Sequence, residues 1–83
     1  MRHFAACVNI VPGITSVYAW EGRIENEQEC LMLIKTDSVR YTELERCILE
    51  QHPYELPEVI AVPVQHGYQE YLAWISQCLI PKQ

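Results

Sequence analysis

The chain has 83 residues, 49% of them hydrophobic, and sets six Lys and Arg against 11 Asp and Glu for a net charge of −5. A chain this short makes one domain, residues 1–83, with a thin stability margin from its core alone, and its apolar content excludes a disordered one. The cations are scattered (Arg2, Arg23, Lys35, Arg40, Arg46, Lys82), so no basic stripe exists to follow phosphates, and neither nucleic acid nor a membrane is an expected partner.

The N-terminus runs Met1-Arg2-His3 and then only five apolar residues before Asn9, too few for a secretory leader. The four cysteines, Cys7, Cys30, Cys47 and Cys78, contain no C-x-x-C pair. That spacing disfavours a zinc knuckle or a thioredoxin-type site, and the expected setting is a reducing cytoplasm with free thiols.

Ala5 to Val11 is an apolar, β-branched run that predicts a strand. Pro12-Gly13 signals a turn or bulge, and extension resumes over Ile14 to Trp20. Glu21-Gly22 makes a hairpin tip, and Arg23 to Glu29 is polar and projects as strand or loop. Glu29 to Thr36 ("ECLMLIKT") is a strong strand with Cys30, Met32 and Ile34 on one face and Leu31 and Leu33 on the other. A strand in a one-layer antiparallel sheet alternates apolar and polar, so two apolar faces call for a second subunit.

Ser38 is the expected N-cap of the next helix, with Thr42-x-x-Glu45 as a capping box for a later start. Tyr41, Leu44, Cys47 and Ile48 form its apolar stripe, opposite Glu43, Arg46 and Glu50, and it ends near Gln51 before Pro53. Cys47 on that stripe suits a small core residue. "HPYELPEVIAVPV" (His52 to Val64) then leads into a short strand over Val59 to Val64, where Pro63 implies an edge or a bulge. After a loop at His66-Gly67, Tyr68 to Leu79 is a last helix with Tyr68, Tyr71, Leu72, Ile75 and Leu79 on one stripe.

The order strand, strand, helix, strand, helix is α+β. It supplies the last four elements of a ferredoxin-like βαββαβ sheet plus a C-terminal helix, and lacks the first βα unit. Catalysis finds little support: no Gly-rich phosphate loop, nucleophile elbow or H-E-x-x-H occurs, and the carboxylates of "YELPE" sit in a proline-fixed turn. The expectation is a protein that is not an enzyme. His52 has two readings, a residue at a helix C-terminus that suits the dipole and a metal or small-ligand contact.

Four spaced motifs carry a resemblance: "AACVNIVPGITSVYAWEGRIE" (Ala5 to Glu25), "LIKT" (Leu33 to Thr36), "HPYELPEVIAVPV" (His52 to Val64) and "YLAWI" (Tyr71 to Ile75). Together they cover nearly the whole chain in order, and the sequence resembles the CutA family of divalent-cation-tolerance proteins. The resemblance implies a ferredoxin-like protomer in a homotrimer, with strands pairing between subunits, in a cytoplasmic protein of copper and divalent-metal tolerance. It implies no established enzymatic activity and an architecture shared with PII-type signalling trimers, whose clefts take a small ligand or a partner protein. Family members open with a βα unit, on the order of 30 residues, before the "AAC" segment. The chain is therefore expected to be a shortened or misannotated product, or to take its missing central strand from elsewhere.

For the metal, copper favours imidazole and thiolate donors. In the family a first-strand cysteine works with the histidine of "HPY", which His52 matches. Gln51 stands where some members carry a second histidine, and the first-strand cysteine has no counterpart. Cys7 and Cys47 are the candidate replacements, with His66 and His3 as further donors. Trp20 is expected as an interface anchor, Tyr54 and Glu55 as structural partners of a neighbouring subunit, and Glu58 as a buried carboxylate paired with Lys35.

Overall fold

A long antiparallel hairpin dominates the structure, a computed structural model that describes residues 4–51 and 56–80. Strand β1 (Cys7–Trp20) pairs with β2 (Arg23–Lys35) from Cys7 opposite Lys35 to Trp20 opposite Arg23. The polar stretch Arg23 to Glu29 is thus strand throughout and continuous with the apolar half. The tip is two residues long. Glu21 has φ 51° and Gly22 φ 78°, the left-handed pair whose twist matches two right-twisted strands.

The register slips once, between Val11 and Ile14, where Pro12 and Gly13 stand against the single residue Cys30. This is a β-bulge, and Gly13 takes the left-handed φ of 75° that a side chain would oppose. Proline is admitted here because a bulge frees its position from the ladder. The extra residue restores the alternation beyond it. Cys7, Asn9, Val11, Ile14, Ser16, Tyr18 and Trp20 therefore share a face with the odd-numbered residues of β2. Val8, Ile10, Thr15, Val17 and Ala19 share the other with Ile24, Gln28, Cys30, Met32 and Ile34.

Helix α1 (Tyr41–Gln51) begins differently from the expected Ser38 cap. Asp37 accepts the Arg40 N–H on Oδ1 at 3.0 Å and the Arg40 guanidinium on Oδ2 at 2.9 Å, while Ser38 is exposed. A carboxylate offers two acceptors at once and outcompetes a single hydroxyl. The capping box does not form either, since Glu45 takes the Tyr41 hydroxyl at 2.8 Å. The predicted apolar stripe is the covered one: Leu44 is buried, and Tyr41, Cys47 and Ile48 are half-buried.

Helix α2 (Gln69–Cys78) is covered only toward its end. Tyr68 is 70% exposed, whereas Leu79, just past the last turn, is fully buried. Gly67 lies so close to Leu72 that an added Cβ would stand 3.0 Å from its methyls. The expected strand over Val59 to Val64 does not form, and the segment carries no ladder. The described sheet is two-stranded, with β1 and β2 paired to each other, so Val59 to Val64 has no strand beside it.

Candidate functional site

His52, Tyr54 and Glu55 lie outside the described residues. The other expected site residues are placed individually. Cys7 opens β1, half-buried and free, across from Lys35. Cys47 is a second free, half-buried thiol on the covered stripe of α1, with the Gln51 amide 3.7 Å from its sulfur one turn later. Gln51 is exposed at the end of α1, the position from which the chain enters "HPY".

The test for a metal is whether donors converge. Among the described residues no group of three His, Cys, Asp or Glu side chains does so. The two cysteines sit on separate elements, and His66 is exposed in the loop before α2. The described donors do not by themselves complete a copper set.

Lys35 forms a different contact from the expected one. Its Nζ donates to Asn9 Oδ1, its diagonal neighbour on the same sheet face. Glu58 is exposed, and the ion pairs of the described residues are Arg23–Glu25 at 3.5 Å and Arg40–Asp37 at 2.9 Å. Within the protomer Lys35 and Glu58 are therefore not paired. Trp20 stands at the hairpin end, 42% exposed.

One arrangement escaped the sequence reading. Glu25, Glu27 and Glu29 line one face of β2, with Tyr18 directly across from Glu25 and diagonal to Glu27. The neighbouring Glu27 carboxylate pushes the Tyr18 phenol above its ordinary value of 10, helped by desolvation and by the charges of Glu25 and Glu29. The i, i+2, i+4 spacing was the available signal, but it needed a strand assignment for Arg23 to Glu29. Same-face residues on a strand stand about 6.8 Å apart, so each carboxylate keeps its own hydration.

The hairpin also exposes apolar side chains on both faces. Ile10, Val17, Ile24 and Met32 share one sheet face at 64%, 63%, 69% and 49% exposure. On the opposite face Val11, Leu31 and Leu33 are also exposed. Leu44 and Leu79 are the buried apolar side chains among the described residues, and Leu79 is fully buried.

Comparison with known proteins bears on what that surface and the missing donors mean. The family model described as "CutA1 divalent ion tolerance protein" matches residues 1–78. The divalent-cation tolerance protein CutA of Thermus thermophilus is 45% identical over 76 residues, which cover 92% of this chain and 74% of that protein. Protein CutA of Mus musculus is 49% identical over 76 residues, and there the chain spans only 43% of the relative's length. Among solved structures, CutA from Xylella fastidiosa superposes with a TM-score of 0.91 at 44% identity, covering 95% of this chain and 76% of that one. The periplasmic divalent cation tolerance protein CutA of Archaeoglobus fulgidus gives 0.90 at 38% identity, covering 95% and 76%. The PII-like protein CutA of Nostoc in apo form gives 0.86 at 32%, covering 94% and 76%.

Proposed function

The chain belongs to the CutA1 divalent ion tolerance family, and from that membership we propose that it is a non-catalytic, cytoplasmic, metal-binding protein that works as a homotrimer. The observation that carries the assembly is the hairpin. Two long strands expose apolar side chains on both faces, and a two-stranded hairpin is marginal alone in water. Stacking copies of the chain covers those faces. The order β1, β2, α1 supports the proposed ferredoxin-like protomer, since it is the order in the middle of that pattern.

The proposed ion is copper or another divalent cation, as the relatives' names support. His52 is the proposed first donor, with the Cys7 and Cys47 thiols as its soft complements. The test is isothermal titration of the chain with Cu(II), repeated on His52→Ala. Loss of a ligand should weaken binding by at least about tenfold, judging from what even outer-shell changes cost. An unchanged isotherm removes His52 from the site.

A second reading has its own support in the Nostoc structure described as PII-like. On this second reading the clefts of the proposed trimer hold a small ligand or a partner protein, and the output is signalling. Thermal stabilisation by a metabolite, without a matching effect of metals, would favour it.

A further inference from the structure

No further inference is drawn: the strongest candidate, the unpaired apolar segment over residues 59–64 with Ile60, Val62 and Val64 each more than 70% exposed, carries nothing because nothing in the structure shows what covers it.

Discussion

Ile10→Lys should split the proposed trimer while leaving the protomer folded. Ile10 is 64% exposed on the protomer, beside Met32 and on the same face as Val17 and Ile24. Fully burying such a side chain contributes roughly 1.5–3 kcal/mol. About two thirds of that, roughly 1–2 kcal/mol, is still available to association at Ile10 on the same scale. Across the four side chains the available burial is roughly 4–7 kcal/mol per protomer. A lysine at position 10 forfeits its share and brings an ammonium whose desolvation costs several kcal/mol. Since about 1.4 kcal/mol is tenfold in an association constant, dissociation should rise by well over tenfold per protomer. Analytical ultracentrifugation over a concentration series reads the mass, and far-UV circular dichroism reads the fold. Thr42→Lys, on the exposed side of α1, makes the same charge change away from the hairpin and should keep the parent's mass. If Ile10→Lys sediments as the parent does at every concentration, that sheet face is not the interface. A monomeric parent would refute the assembly itself.

Four further outcomes are expected. His52→Ala should weaken Cu(II) binding as described above. Gln51→His restores an imidazole at the exposed end of α1, and it should tighten Cu(II) by about tenfold or more on the same titration, imidazole being a favoured copper donor. Asp37→Ala removes the acceptor of the Arg40 N–H and should cost about 0.5–2 kcal/mol in urea denaturation, as lost caps do. Tyr18 is held above the ordinary phenol value of 10 chiefly by the neighbouring Glu27 carboxylate, and Tyr41 by its hydrogen bond to Glu45. The folded state therefore keeps these protons longer than the unfolded chain. The stability they contribute is complete below pH 10 and fades as the pH rises through the folded values. Spectrophotometric titration should show Glu27→Gln returning one phenol toward its ordinary value.

Local signals explain which parts were legible. Gly22 and Gly13 mark the tip and the bulge because glycine takes left-handed φ without a Cβ penalty, and Pro12 marks the bulge because it cannot donate to the ladder. The α1 stripe was legible because Tyr41, Leu44, Cys47 and Ile48 repeat at helical spacing. Two misreadings share one cause. Ser38 and the strand at Val59 to Val64 each depend on which competing partner arrives, and a propensity does not encode that. Asp37 supplies two acceptors, and Val59 to Val64 pairs with no strand.

The sequence by itself determined the family, the α+β element types, the turn chemistry and the excess of apolar surface on Glu29 to Thr36, because these rest on residue identity and short periodicity. Only the tertiary structure decided the hairpin register. It carried β2 unbroken into the polar Arg23 to Glu29 segment and set three carboxylates in a row beside Tyr18. It also turned Lys35 to Asn9 and left Ile10, Val17, Ile24 and Met32 uncovered together. Register is a property of two strands at once: a single-residue bulge decides which side chains share a face, and neither strand read alone contains it.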